Sequence, residues 1–114
     1  DEEQIDLFDV FLPDLNLGEL RVVLYIIRRT FGFKKTEDQI SLKQLQFGIT
    51  KRQDGEQLDR GTGMAKSSIL VALKSLEKRG LIKVRKTMTK DGDNSINAYS
   101  LRFQERVVRK VVPR

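Results

Sequence analysis

Apolar residues recur at helical spacing in the second half of the chain. Ile69, Leu73 and Leu76 are separated by four and three residues, so they share one face of a helix with Ala72. Two cations come just before Gly80, where they suit the negative end of a helix, and glycine is the residue type that most often ends one. The pattern predicts a helix that buries its apolar face and stops at Gly80.

A strand-like pattern follows this helix directly. The run 81–86 alternates aliphatic with basic residues, and the run 96–103 is rich in apolar residues. Between them lies Asp91-Gly92, a dipeptide that favours a tight hairpin turn. A helix followed by a basic hairpin is the order in which a winged helix-turn-helix presents its second helix and its wing to DNA.

The first half of the chain contains a helix start signal. Asn16-Leu17-Gly18-Glu19 has the form of a capping box, in which each of the two polar side chains bonds to the backbone amide of the other residue. We expect a helix from this point to about Gly32. Its predicted buried stripe consists of Leu20, Val23, Leu24 and Ile27.

A second helix start signal follows. Ser41-Leu42-Lys43-Gln44 repeats the capping-box pattern and predicts a short helix through about Phe47, with Leu42, Leu45 and Phe47 turned inward. Ile40, just before it, is expected in a short edge strand that closes the wing sheet. These elements complete three helices and a small sheet.

The segment from Gly48 to Gly63 is polar and turn-rich, and it is longer than the three or four residues usual between the two helices of a helix-turn-helix. Either Leu58 anchors an ordered extended turn, or the segment is flexible. Its cations Lys51, Arg52 and Arg60 are candidate DNA contacts. As a hypothesis, part of the sequence reading has moved from the helix to this segment.

The predicted fold class is therefore α+β, mainly α with a small antiparallel sheet. The predicted architecture is a winged helix-turn-helix of three core helices plus a two- or three-stranded wing. A chain of 114 residues supports one compact domain. We assign 1–15 to an acidic N-terminal extension, 16–103 to the winged-helix domain and 104–114 to a basic tail or linker. The chain does not begin with methionine, and we expect it to be part of a longer protein.

Charge is distributed as a gradient along the chain. Residues 1–20 contain seven acids and no bases, residues 21–63 nine bases and five acids, and residues 64–114 thirteen bases and four acids. The regional net charges are −7, +4 and +9, within a total of +6. A gradient that places positive charge on the predicted helix, wing and tail is typical of a polyanion binder. The alternative is a lysine-rich surface that serves solubility alone.

Candidate DNA contacts lie first at the start of the second-half helix. Lys66, Ser67 and Ser68 supply an ammonium group, two hydroxyls and backbone amides that can hold a phosphate or reach a groove edge. The alternative is that Ser67 and Ser68 only cap the helix. Lys74, further along the exposed side, is a candidate phosphate contact.

The predicted wing supplies the remaining candidates. Lys83, Arg85, Lys86 and Lys90 lie on it or near it, and strand alternation puts Lys83 and Arg85 on one face. We expect at least one of them to contact the DNA backbone.

Catalytic and metal chemistry is not indicated. The chain has no cysteine and no histidine, which removes thiol chemistry and the commonest general base. A phosphate loop would require glycine where Arg60 and Ala65 stand. Residues 91–94 begin like a calcium loop, but Arg102 occupies the position of its glutamate ligand. We expect no enzyme activity, no catalytic residue, no metal and no cofactor.

Membrane association is not expected either. No apolar run approaches the roughly 20 residues that span a bilayer, and no signal peptide is evident. The absence of cysteine is compatible with a reducing cytoplasm, where we expect the protein to be located.

Four segments carry a family resemblance: Arg28-Arg29-Thr30-Phe31-Gly32-Phe33-Lys34-Lys35, Asp38-Gln39-Ile40-Ser41-Leu42, Gly61-Thr62-Gly63-Met64-Ala65-Lys66-Ser67-Ser68-Ile69, and Leu73-x-x-Leu76-x-x-x-Gly80-Leu81-Ile82. Through them, roughly residues 16 to 103 resemble the N-terminal domain of the phage replication protein O family. The resemblance implies a winged-helix domain that recognises repeats at a replication origin. It also implies a separate C-terminal region that contacts the helicase-loading machinery, so this fragment would be the DNA-binding part.

Two other functions fit the same residues. A winged-helix transcriptional repressor would also bind duplex DNA, and a protein-interaction adaptor would use the same fold without it. Leu70 and Val71 would lie on an otherwise exposed helix face, where base-edge readout prefers Arg, Lys, Asn or Gln. Together with the acidic segment 1–15 they would suit a homodimer or a partner surface, so dimerisation stays open at this stage.

Overall fold

The computed structural model describes residues 11–87 and 96–102. Within them the chain forms three α-helices and five strands: α1 (Leu17–Thr30), β1 (Glu37–Ser41), α2 (Leu42–Phe47), β2 (Ile49–Thr50), β3 (Gln57–Asp59), α3 (Lys66–Lys78), β4 (Ile82–Lys86) and β5 (Ile96–Leu101). This order confirms the predicted α+β winged helix-turn-helix. No helix of the described residues is long and apolar enough to cross a membrane.

The wing is part of a three-stranded antiparallel sheet in the order β1-β5-β4. The edge strand expected at Ile40 is therefore confirmed as β1, whose Ile40 is opposite Asn97. The predicted alternation in β4 is also confirmed, since Ile82 is buried and Val84 half-buried while Lys83 and Arg85 are exposed. The predicted turn at 91–92, Lys90, residues 1–10 and residues 103–114 lie outside the described residues.

One core joins the helices to the inner face of this sheet. Its buried members are Val22, Val23, Tyr25, Ile26, Ile40, Leu45, Ile69, Ala72, Leu73, Leu76, Leu81, Ile82 and Tyr99. All four residues predicted for the apolar face of α3 are among them, and the helix ends before Gly80, which has a φ of 80°. Phe11 and Leu15, from the segment assigned to the N-terminal extension, pack against this core.

The capping box at Asn16 is confirmed, but the predicted buried stripe of α1 is wrong at Leu24. That side chain is 46% exposed, whereas Val22, Val23 and Ile26 are completely buried. The buried face includes two polar residues, Glu19 and Thr30, and the Thr30 hydroxyl donates a hydrogen bond to the carbonyl oxygen of Ile26. Because polar residues do not count toward an apolar stripe, the prediction rotated the face away from its true position.

The short helix α2 is confirmed with two corrections: its capping box is only half formed, because the Gln44 side chain donates to the Tyr25 hydroxyl, and Phe47 points elsewhere. The Ser41 hydroxyl accepts a hydrogen bond from the Gln44 amide at 3.0 Å, and Leu45 is buried as predicted. Phe47 is not turned inward but is 59% exposed. It is the last residue of α2, and the chain leaves the core immediately after it at Gly48.

The segment between α2 and α3 is an ordered β-hairpin, formed by β2 and β3. After it, the chain returns to the end of α2, where the Thr62 and Gly63 amides donate to the carbonyl oxygens of Leu45 and Gln46 at 2.8 and 3.2 Å. These bonds supply N–H donors to carbonyl oxygens that have no donor within the helix at its C-terminal end. The connection into α3 is therefore a short turn into which a hairpin is inserted.

Two glycines allow the two ends of the hairpin to approach each other. Gly48 and Gly61 have φ values of 84° and 69°. A Cβ on Gly48 would lie 2.0 Å from the Asp59 carbonyl oxygen, and one on Gly61 would lie 2.6 Å from the Gly48 nitrogen. Any side chain at either position would collide with backbone. The expected anchor Leu58 is wrong, since it is 55% exposed.

Candidate nucleic-acid interface

The solvent-facing side of α3 presents a line of four exposed residues. Ser67, Val71, Lys74 and Lys78 are spaced four, three and four residues apart and lie opposite the buried face. We refer to these four residues as the outer line of α3. The structure thus brings together two of the predicted contacts, Ser67 and Lys74, with two residues that were not predicted.

The interpretation that Ser67 and Ser68 only cap α3 is wrong. The N-cap is Ala65, and no side chain makes a capping hydrogen bond there. The first amides of a helix have no acceptor within it, so those at the start of α3 are available to an anion. Lys66, Ser67 and Ser68 are all exposed around them. The exposure that a contact at this helix start requires is therefore present, and the contact itself stays a prediction.

A groove separates the start of α3 from the start of α1. Its volume is about 380 Å³, and Val71 and Met64 line it together with the hydroxyl-bearing residues Ser67, Ser68 and Ser75. Gly18 leaves room for the Met64 side chain, because a Cβ there would lie 3.0 Å from the terminal carbon of Met64. Two residues of the outer line, Ser67 and Val71, therefore line this groove.

A buried carboxylate fixes α3 against α1. Glu19 is 1% exposed and accepts hydrogen bonds from the Ser75 hydroxyl, from the Arg79 Nε at 2.9 Å and from the Asn16 amide at 2.9 Å. Burial by itself would raise the pKa of Glu19, but the hydrogen bonds from Ser75, Asn16 and Arg79 outweigh it and lower the pKa below its ordinary value. The carboxylate therefore stays ionised at neutral pH and holds the second half of α3.

The wing strand β4 carries three exposed cations. Lys83 and Arg85 share the sheet face that points away from the core, and Lys86 lies at the strand end. Arg85 reaches over the middle strand to Glu37 of β1, with Nη2 and Nε at 2.8 and 3.2 Å from the two carboxylate oxygens. This pairing lowers the pKa of Glu37 and raises that of Arg85. Neither Lys83 nor Lys86 has such a partner among the described side chains.

The inserted hairpin carries cations, but its charge is balanced. Lys51, Arg52 and Arg60 are exposed, as their candidate role requires. Lys51 forms an ion pair with Glu56, whose carboxylate oxygen is 3.5 Å from its Nζ. Counting all charged residues from 48 to 63, three bases face three acids. The hairpin is thus not a strongly positive surface like α3 and β4.

The hairpin is held in place by a polar network at its base. The Tyr25 hydroxyl donates to both carboxylate oxygens of Asp59 at 3.1 Å and accepts from the Gln44 amide nitrogen at 3.1 Å. Arg29 lies 3.5 Å from Asp59, and the Gly61 amide donates to Asp59 at 2.9 Å. Burial and the nearby Asp59 charge raise the pKa of Tyr25 to about 12. Residues from α1, α2 and β3 are thereby joined.

The two arginines in the last turn of α1 make contacts within the domain near this network. Arg29 also pairs with Asp38 of β1 at 3.8 Å, and both Arg28 and Arg29 place their guanidinium groups over the Phe33 ring at 4.8 and 4.5 Å. Such stacking is a favourable cation–π contact. The positive charge of Arg29 is therefore paired with groups of the domain itself.

Sequence reasoning missed Glu19, Tyr25, Asp59 and Glu37 as the residues that position this surface. One signal was present for Glu19, which is in helical register with Val22, Val23 and Ile26 and so shares their buried face. A second was Asp59, placed two residues before Gly61, the spacing of an Asx turn. No local signal marks Tyr25 or Glu37, because their partners are distant in sequence.

Within the described residues, no cluster of three or more metal-ligating side chains could hold a metal ion. Comparisons of this chain with protein-family models, with curated proteins and with solved structures gave no significant match.

Proposed function

We propose that this chain is a double-stranded DNA-binding domain that inserts α3 into the major groove and places its wing on the adjacent backbone. The observation that carries the proposal is the charge of the surface formed by α3 and β4. These two elements contain six bases and a single acid, Glu77. Phosphate neutralisation by such cations supplies most non-specific DNA affinity.

The dimensions and order of the elements support the same conclusion. A helix of 13 residues is about 20 Å long, and the major groove is about 12 Å wide, enough to admit it. The open amides at the start of α3, with Lys66, suit a phosphate. Lys83 and Lys86 suit the backbone beside the groove, and Arg85 would exchange Glu37 for a phosphate on binding.

The biological target proposed is a replication origin of phage type. This part of the proposal rests on the resemblance of residues 16–103 to the phage replication protein O family, whose N-terminal domain recognises origin repeats. In that case replication proteins would be contacted by a region outside this fragment. A transcriptional repressor is the alternative with the same DNA-binding surface, and an adaptor module is the alternative without it.

Fluorescence anisotropy across a salt series tests the proposal. The chain is titrated against labelled duplex from the neighbourhood of its own gene and against a scrambled duplex. We expect tighter binding to the native duplex, persisting at physiological salt, with log K falling linearly against log salt concentration. Equally weak binding to both duplexes, abolished by salt, would contradict DNA recognition and favour the adaptor.

A further inference from the structure

An aliphatic side chain occupies the middle of the outer line of α3. Val71 is 68% exposed, with Ser67 one turn before it and Lys74 one turn after it. A single exposed valine is ordinary on a protein surface. The position of Val71 is unusual, because the outermost position of a helix proposed to enter DNA is where a base contact would be made.

The charges around Val71 argue against a second copy of this chain as its cover. A two-fold interface centred on Val71 would gather Lys74 and Lys78 of both copies around one small apolar contact, so four cations would border it. The apolar area is also small, because Leu70 is the other exposed aliphatic residue in α3, and a stable interface covers about 800 Å² per partner. Glu77, the acid of this helix, lies on the flank with Leu70 and not on the outer line.

A polyanion that presents a small apolar group between charged borders is the better match. The major groove of DNA is bordered by phosphates and carries the 5-methyl group of thymine among its hydrogen-bonding edges. We propose that Val71 contacts a thymine 5-methyl group, which makes it a specificity-determining residue. This inference rests on the proposed function, and it explains how α3 reads sequence without Arg, Asn or Gln on its outer line.

The test removes one methyl group at a time from the DNA. A tightly bound duplex is selected from a random pool with the wild-type chain at physiological salt, and each thymine is then replaced by deoxyuridine. Loss of one buried methyl contact should weaken binding about fourfold at one or two positions. Val71→Ala should bind thymine and deoxyuridine duplexes equally at those positions. Leu24→Ala, which truncates a 46%-exposed leucine on α1, should retain the wild-type preference.

The outcomes separate this inference from the function on which it rests. Two results would overturn the role of Val71 and leave DNA recognition in place. In the first, replacing thymine by deoxyuridine does not weaken binding of the selected duplex; in the second, it weakens binding of Val71→Ala as much as that of the wild type. Binding to duplexes without sequence preference that persists at physiological salt would overturn the role of Val71 and leave duplex binding in place. A dimer in sedimentation equilibrium that Val71→Ala dissociates would also overturn it. Failure to bind any duplex even at low salt would overturn the proposed function itself.

Discussion

At the scale of single residues, the structure depends on carboxylates whose hydrogen-bond and ion-pair partners are distant in sequence. Glu19 is locally a capping residue, yet its second oxygen holds Ser75 and Arg79 of the neighbouring helix. Glu37 is a half-buried strand residue, and its carboxylate forms an ion pair with the guanidinium of the wing residue Arg85. The Glu19 pairing affects the stability of the domain. The Glu37 pairing affects how much positive charge on β4 is free to bind a phosphate.

Glu19→Gln should destabilise the domain by about 2 kcal/mol, since Arg79 and Ser75 lose an ionised acceptor in a buried place. Because the pKa of Glu19 is lower in the folded state, its contribution is present above its ordinary unfolded pKa and is lost as the pH falls through the folded value. Chemical denaturation at pH 7 and at acidic pH checks both effects. A difference between wild type and variant that does not shrink on acidification would contradict this account.

Glu37→Gln should strengthen duplex binding, because Arg85 no longer has to leave a carboxylate to reach a phosphate. We expect about a threefold gain in affinity at low salt, within the range measured for exposed ion pairs. Asp14→Asn changes net charge by the same amount at an exposed site in the turn before α1 and serves as the control. An equal gain in both variants would show that net charge alone, and not release of Arg85, is responsible.

At the scale of elements, the inserted hairpin is positioned by α1 and not by its own apolar residues. The Tyr25 hydroxyl and Asp59 join it to the helix, while Leu58 stays exposed. Gly48 and Gly61 bring its two ends together, so Thr62 can bond to the end of α2. The helix-turn-helix geometry therefore persists despite the long connection.

Tyr25→Phe should loosen the hairpin more than the rest of the domain. Removal of the hydroxyl leaves the Gln44 amide without this acceptor and should cost about 1 to 2 kcal/mol. Amide hydrogen exchange should show faster exchange between residues 49 and 61 than elsewhere. Uniform loss of protection throughout the domain would instead place Tyr25 in the global core.

The same tyrosine predicts a loss of stability in alkali. Its folded pKa of about 12 lies above the unfolded value near 10, so the protonated form is favoured by folding. This contribution is complete below pH 10 and is lost as the pH rises toward 12. Absorbance of phenolate during an alkaline titration, beside a denaturation series, checks it. Ionisation of both tyrosines near pH 10 in the folded protein would contradict the burial argument.

At the scale of the whole molecule, positive charge concentrates on α3 and β4 while acids serve as internal partners. Lys83→Gln with Lys86→Gln should weaken binding to all duplexes alike and reduce the slope of log K against log salt concentration by up to about 2. Neutral substitutions are used because Arg85→Glu would face Glu37 and disturb the sheet. Arg21→Gln, exposed on α1, is the control. An unchanged slope would remove the wing strand from the interface.

The sequence by itself determined what depends on neighbours within a few residues. Local spacing accounts for the caps at Asn16 and Ser41, the apolar face of α3, its end before Gly80 and the alternation in β4. Helices and strands repeat every two to four residues, so these features depend only on near neighbours in the chain. The exposure of Lys74 on α3 and of Lys83 and Arg85 on β4 follows in the same way, since these residues lie opposite the apolar positions.

Only the tertiary structure decided which polar residues are buried and which charges are already paired. The true face of α1 includes Glu19 because Ser75 and Arg79, more than fifty residues away, satisfy it. Arg85 is paired because β1 lies two strands from β4 in the folded sheet. A buried polar group is stable only when its partner is present, and chain folding, not local spacing, brings such partners together.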